Sequence, residues 1–311
     1  MKHVYYTSPF VPPVWIAAHG LKPCLMNVSA RDTGTGTSPG ECPYARAVIN
    51  QASRRDDSLF VLTATCDQMR RAAEWLSLEF EQRRGKDEKA KDPYDLDSPV
   101  FLLNVPATWH SAARDRYRAE LARLGRFLVR KGGRSPDASD LRESLRSGRL
   151  QLHVPHTDPV GVRTTAVPLA VVGGPLMEEH AELYRVIERN GGSVALNGSE
   201  GCERSQVTPG DASEFVRDPL GMLTALYFDS IGDAFRRPDS GLARWLVPRI
   251  EQRSIRGVVF YAYTWCDLWR AQYVSLAEAV KLPSLLLELG GEERLSAGTI
   301  TRIQAFMESL R

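Results

Sequence analysis

Thr65-Cys66-Asp67-Gln68-Met69-Arg70 returns late in the chain as Thr264-Trp265-Cys266-Asp267-Leu268-Trp269-Arg270. Both copies keep the order Cys-Asp-x-(large apolar)-Arg. Each follows an apolar run with strand character, Leu59-Phe60-Val61-Leu62-Thr63 in one and Val258-Val259-Phe260-Tyr261 in the other. Each leads into residues with helical spacing, Met69 to Phe80 and Leu268 to Val280. A cysteine between a buried strand and a helix sits where backbone N–H groups converge and the helix dipole favours a thiolate over a thiol. The repeat therefore predicts two similar α/β halves, each aiming a thiolate at a shared cleft.

The bulk numbers agree with an ordinary folded protein. The 311 residues suit two domains of about 150 each. With 43% apolar and 25% charged residues and a formal charge of +2, neither nucleic acid nor an acidic membrane is an expected partner. The first residues, Met1-Lys2-His3-Val4-Tyr5-Tyr6, lack the apolar core of a signal peptide. No run approaches the roughly 18 apolar residues of a membrane helix. Five cysteines, an odd number, argue against a disulfide framework and for a reducing, cytoplasmic setting.

Outward from the repeat, strands are expected at Val4–Thr7, Pro23–Asn27, Val100–Val105, Val167–Val172, Val194–Asn197 and Ser284–Leu289. Helical stretches are expected at Val14–His19, at Tyr44–Ile49 after Pro43, and at Thr108–Lys131. The last of these is basic and amphipathic, with Tyr117, Leu121, Leu124 and Phe127 inward. Further helices are read at Glu178–Asn190, Pro219–Asp229, Gly241–Arg253 and Thr299–Leu310, and another starts near a cap at Ser135 or Asp137. A small-residue loop runs from Asp32 to Pro43, a charged segment from Gln82 to Asp95, and a Pro/Gly/Thr-rich linker from Pro155 to Thr165. Alternation of β and α implies parallel sheets with flanking helices, in which ligands bind beyond the carboxyl ends of the strands. The expected domains are 1–160, α/β with a helical insert, and 161–311, α/β.

Cys42, before Pro43 at a helix start, is the third cysteine in such a place. Taken singly, each cysteine is also read as a packing residue. Together, three thiolates describe an open metal site. No Cys-x-x-Cys pair is present and the six histidines are scattered, which disfavours structural zinc. Iron–sulfur ligation, with ligands from distant segments, fits better. Gly34-Thr35-Gly36 lacks the frame of a dinucleotide fingerprint, Gly173-Gly174-Pro175 lacks the lysine of a P-loop, and no Gly-x-Ser-x-Gly elbow is present.

Six stretches carry a family resemblance in order along the chain: Thr7–Pro13 with Ala18–Pro23, Cys42-Pro43-Tyr44-Ala45, Thr65–Arg70, Gly173-Gly174-Pro175-Leu176, Cys266-Asp267-Leu268-Trp269 and Thr301–Phe306. The chain resembles subunits of the 2-hydroxyacyl-CoA dehydratase / benzoyl-CoA reductase family. That resemblance implies two Rossmann-like domains with a 4Fe–4S cluster in the cleft between them, held by Cys42, Cys66 and Cys266. It implies an ATP-dependent activator protein that injects a low-potential electron, and a homologous second subunit or a homodimer. In dehydratase members the electron makes a ketyl radical and water leaves a 2-hydroxyacyl-CoA. Other members reduce an aromatic ring, and a further branch holds a double-cubane cluster; a non-catalytic electron-transfer or scaffold role is the remaining alternative.

Two departures stand out. The segment from Val105 to Val167 is shorter than expected of members with a full helical substrate-binding region, which makes acyl-CoA an uncertain ligand. Asn197–Arg204 is similar to the family's Glu-x-Gly-x-Arg neighbourhood but is shifted and contains Cys202. Glu200 and Arg204 are read as facing a partner or substrate, or as surface residues, and Cys202 and Cys24 as packing residues. His19 is read as structural, or as a proton carrier by the family match. Asp67 and Asp267 are expected to cap their helices, and Arg70 and Arg270 to offset cluster charge.

Overall fold

The computed structural model describes residues 1–34, 40–83, 98–148, 166–207, 211–238 and 240–311. The 35–39 part of the small-residue loop, the 84–95 part of the charged segment and the linker Pro155–Thr165 lie outside the described residues. In chain order the elements are β1 (His3–Tyr6), α1 (Pro13–Ala18), β2 (Lys22–Leu25), α2 (Pro43–Ser53), β3 (Leu59–Thr63) and α3 (Asp67–Arg83). There follow β4 (Val100–Leu103), α4 (Ser111–Arg130), α5 (Ala138–Gly148), β5 (Val167–Gly173) and α6 (Glu182–Arg189). Then come β6 (Gly192–Gly198), α7 (Ala212–Arg217), α8 (Pro219–Leu223) and α9 (Ser240–Gln252). Last are β7 (Gly257–Tyr263), α10 (Asp267–Val280), β8 (Ser284–Leu289) and α11 (Ala297–Ser309).

These elements build two four-stranded, all-parallel sheets of the same topology, β2-β1-β3-β4 and β6-β5-β7-β8. The expected α/β class with two Rossmann-like sheets is what the chain forms. Every residue of β3 and of β7 is buried, as continuous apolar runs in the middle of a parallel sheet must be. Edge strand β2 is open to solvent at both ends, which places Cys24 on a partly exposed edge rather than in a core.

Contacts divide the chain into two compact units. The first comprises Met1–Asn27, Val48–His153 and Gln206–Ile231; the second comprises Val28–Ala47, Val154–Ser205 and Gly232–Arg311. In the first, α4 buries Tyr117, Leu121, Leu124 and Phe127, the inward face expected of it. The Tyr117 hydroxyl donates to the Phe10 carbonyl at 2.6 Å, satisfying its one polar atom inside the core. Asp137 Oδ1 accepts from the amides of Ser139 and Asp140 and so starts α5. The stretch Pro219–Asp229 begins as α8, capped by Asp218 on Gly221 N, and continues over Thr224–Asp229 as a wider π turn.

In the second unit Ala170, Val172, Leu196, Leu242, Leu246, Val258, Phe260 and Leu276 form one apolar core between sheet and helices. Fully burying such side chains contributes roughly 1.5–3 kcal/mol each before chain entropy is counted. The helix read over Glu178–Asn190 is a 3-10 turn, Glu178–Ala181, that leads into α6.

The second unit also holds a segment from far upstream. Val28 accepts from the amide of Glu178 at 2.9 Å. The Glu179 carboxylate accepts from Ser29 Oγ at 2.6 Å and from Ala30 N at 2.7 Å. Thr33 Oγ1 lies 2.9 Å from the Gly291 carbonyl, and a Cβ on Gly291 would press on the Thr33 side chain at 3.2 Å.

Candidate iron–sulfur ligands and their surroundings

In a sheet of order 2-1-3-4 the chain runs one way from the first strand and the other way from the third, so the crevice lies between the carboxyl ends of those two strands. Cys66 follows β3 and Cys266 follows β7, the corresponding strands of the two sheets. The launching geometry is the same in both. Ala64 N donates to Leu103 O of β4 at 3.0 Å, and Thr264 N donates to Leu289 O of β8 at 2.9 Å. Each cysteine then starts a helix, its carbonyl accepting the amide four residues on: Arg70 N to Cys66 O at 3.1 Å, and Arg270 N to Cys266 O at 3.2 Å. Cys42 does the same at the start of α2, where Arg46 N donates to Cys42 O at 3.1 Å. All three sites are therefore Cys-x-x-x-Arg with cysteine at the helix cap, and only Cys66 and Cys266 share the further Asp that makes the repeat plain in the sequence.

The expected roles of the following residues change accordingly. The helices begin one residue earlier than the aspartates would have them, so Asp67 and Asp267 are the first residues inside α3 and α10. The Asp67 carboxylate turns to Arg70 at 2.6 Å and Arg71 at 3.0 Å, and those cations hold it below the usual carboxylate range. At Cys66 the sulfur does the capping, accepting from Met69 N at 3.4 Å. The arginines carry carboxylate partners: Glu74 on Arg70 at 2.7 Å, Glu288 on Arg270 at 3.1 Å and Glu41 on Arg46 at 2.6 Å.

Cys42 and Cys266 belong to the second unit and Cys66 to the first. All three are partly buried and none is in a disulfide. Burial pushes the Cys42 thiol up, while the amides of Ala45 and Tyr44 directed at its sulfur pull it back. Among the described residues no three His, Cys, Asp or Glu side chains are gathered closely enough to hold a metal ion. Thiols at helix starts and free of disulfides, two of them with backbone N–H groups aimed at the sulfur, are the donor chemistry that a thiolate-held iron–sulfur cluster requires.

The walls around the second unit's cysteines are aromatic, a feature the sequence reading missed. Trp269, in the first turn of α10, lies against Gly174, where a Cβ would meet its Nε1 at 2.9 Å. Gly173 leaves room for Tyr261, whose hydroxyl donates to Gly174 O at 2.5 Å. The glycine pair is thus required by ring packing, not by a nucleotide. The Tyr263 and Tyr44 rings stack with centroids 6.2 Å apart. Tyr263 Oη accepts from Met177 N and pairs with His180 Nδ1, each at 2.9 Å, while His180 Nε2 meets Glu292 O at 2.7 Å. A carbonyl only accepts, so Nε2 carries the proton; burial lowers the His180 pKa and keeps it neutral, and Nδ1 accepts from the tyrosine.

Arg204 is neither on the surface nor available to a partner. Its guanidinium is fully buried, paired with Asp233 at 2.7 Å, and donates to the carbonyls of Gly198, Gly232 and Gly173 while lying over the Trp269 ring. The Glu200 acid is pushed up by burial and then by the Asp233 charge, with Arg204 opposing. Cys202 is buried, as expected of a packing residue. In the first unit His19 donates from Nδ1 to Trp15 O at 2.7 Å and packs edge-on against the Trp15 ring, a structural placement.

The strand-end cysteines and the doubled parallel sheet define an α/β protein of the kind that builds ligand sites beyond its strand ends. The family model described as 2-hydroxyglutaryl-CoA dehydratase, D-component, matches residues 9–149 and 155–310, and the chain belongs to that family. No curated protein matches it. Among solved structures, the laminin-binding protein Lbp of Streptococcus pyogenes aligns over 100% of this chain and 98% of its own, at 13% identity and a TM-score of 0.22. A Mn-bound periplasmic metal binding protein from Candidatus Liberibacter asiaticus aligns over 100% and 97%, at 11% identity and a TM-score of 0.23. Likenesses that weak bear on neither fold nor function.

Proposed function

We propose that this chain is the 4Fe–4S subunit of a 2-hydroxyacyl-CoA dehydratase-like enzyme, with Cys42, Cys66 and Cys266 as the cluster ligands. It works in the cytoplasm with a homologous second subunit or a second copy of itself, and takes its electron from an ATP-dependent activator. The observation that carries this reading is the threefold recurrence of a helix-capping cysteine whose carbonyl receives the amide of an arginine, in a chain matched to the dehydratase family over most of its length. When bound, the cluster supplies low-potential one-electron chemistry and a Lewis-acidic iron. The chain's own residues supply the rest. Backbone amides point at the sulfurs of Cys42 and Cys66, and at Cys42 they oppose the burial that pushes the thiol up. Tyr44, Tyr261, Tyr263 and Trp269, all buried, keep water from the strand ends of the second unit. The carboxylates beside Arg46, Arg70 and Arg270 leave those arginines nearly neutralised, so any compensation of cluster charge falls mainly to the backbone amides.

Anaerobic purification with iron and acid-labile sulfide analysis tests the reading. The wild type should carry iron and sulfide and a Cys66→Ser variant should lose them; absence of iron after reconstitution would remove the cluster. Turnover of a 2-hydroxyacyl-CoA with activator and ATP then separates dehydratase from carrier. A second reading, a reductase of the benzoyl-CoA or double-cubane type, is favoured by one observation: between β4 and β5 the described residues form only α4 and α5, little scaffold for an acyl-CoA. ATP-dependent reduction of an aromatic acyl-CoA or another small acceptor, with no water lost from any 2-hydroxyacyl-CoA, would select it.

A further inference from the structure

Tyr263 is tied at once to Cys42 and Cys266, the two candidate ligands in the second unit. Its carbonyl accepts the Cys266 amide at 2.9 Å, closing the turn at the end of β7. Its ring stacks on Tyr44, which stands two residues after Cys42 and is itself buried. Its hydroxyl is pinned by Met177 N and by His180, and His180 is in turn fixed on the Glu292 carbonyl. A ring held at its tip, stacked on its face and bonded through its backbone has little freedom left. From these contacts we infer that Tyr263 is a positioning residue that fixes the α2 start bearing Cys42 and the α10 start bearing Cys266 on one rigid support, with His180 locking the ring. Nothing in the dehydration chemistry requires a tyrosine there, and no direct contact with substrate is invoked.

The inference rests on the reading of Cys42 and Cys266 as ligands, and its test does not depend on iron. The full-length apoprotein is treated with iodoacetamide, and alkylation rates of Cys42, Cys266, Cys66 and Cys24 are followed separately by peptide mass spectrometry. Tyr263→Leu, which removes stack and hydroxyl, should accelerate Cys42 on the order of tenfold, the scale of losing a few local contacts. Cys66 and Cys24, on the other unit, should stay within about twofold. Tyr263→Phe keeps the stack and should give a smaller rise, reproduced by His180→Leu. A merely structural role would accelerate all four thiols together and lower the unfolding midpoint in proportion; that pattern, or an unchanged Cys42 rate, overturns the proposal. If Tyr263→Leu does not fold, the Tyr263→Phe and His180→Leu pair decides by the same ratio of Cys42 to Cys66. Wild-type protein that takes up no iron while the Cys42 ratio still responds would remove the ligand reading and leave the positioning role standing.

Discussion

The amide of Met69 donates to the sulfur of Cys66 at 3.4 Å, the bond a serine or threonine makes at an ordinary helix start. A group that caps a helix and is also proposed to bind iron can be tested for the two roles separately. Cys66→Ser keeps a capping side chain, so the apoprotein should unfold within about 1 kcal/mol of wild type. Iron content should nevertheless fall. Denaturant melts of the apo forms, set beside iron analysis, check both halves.

Arg204→Ala should be the most damaging substitution in the second unit. It leaves Asp233 buried without its cation and frees the strand-end carbonyls of Gly173 and Gly198 and the loop carbonyl of Gly232, a loss on the order of 3–5 kcal/mol. Arg204→Lys should recover only part of it, because an ammonium cannot match the planar fork or the stack on Trp269. Urea unfolding midpoints give the comparison.

Trp265 stands at φ 69°, in the left-handed region, immediately before Cys266. Half-exposed and bulky, it gains little packing there, and the conformation costs roughly 1–2 kcal/mol. Trp265→Gly should therefore leave stability unchanged or raise it by up to about 1 kcal/mol, whereas Trp265→Val should lower it. A glycine variant that melts clearly below wild type would contradict the account. If the glycine form also loses activity, the strain serves the site.

Stability should fall in mild acid through His19. Burial lowers its pKa below the ordinary 6.5, with the Trp15 carbonyl and Asp140 opposing. Between the folded and unfolded pKa values the unfolded chain binds the extra proton, so the stabilisation is complete above about pH 6.5 and is lost as pH falls toward the folded pKa. His19→Gln, which can still donate to Trp15 O, should remove the His19 share of this part of the pH profile and leave the share of buried His180. Unfolding midpoints between about pH 7.5 and 5 report it.

Much of this was written locally. Leu59–Thr63 and Ser284–Leu289 are the strands their sequences announce, and Tyr117, Leu121, Leu124 and Phe127 fall on one buried helix face, because periodicity is set by neighbours along the chain. What stayed hidden depends on residues remote in sequence. Arg204 reads as a surface cation until Asp233 is folded onto it. The aspartates after Cys66 and Cys266 read as caps because aspartate usually caps, and only the register of the first helical bond gives that place to the cysteines. Glu179 carries no local sign that its carboxylate will take up Ser29 and Ala30.

The attachment of residues 28–33 to Glu179 and Gly291 orders events in time as well as in space. During synthesis this stretch leaves the ribosome early and has no partner until the turn at Glu178 and then the end of β8 have emerged. Pairings across so much intervening chain form slowly. The Cys42 thiol therefore spends the longest time of the three without its finished surroundings, and any delivery of iron before the last helices are made would find the first of its proposed ligands still unhoused.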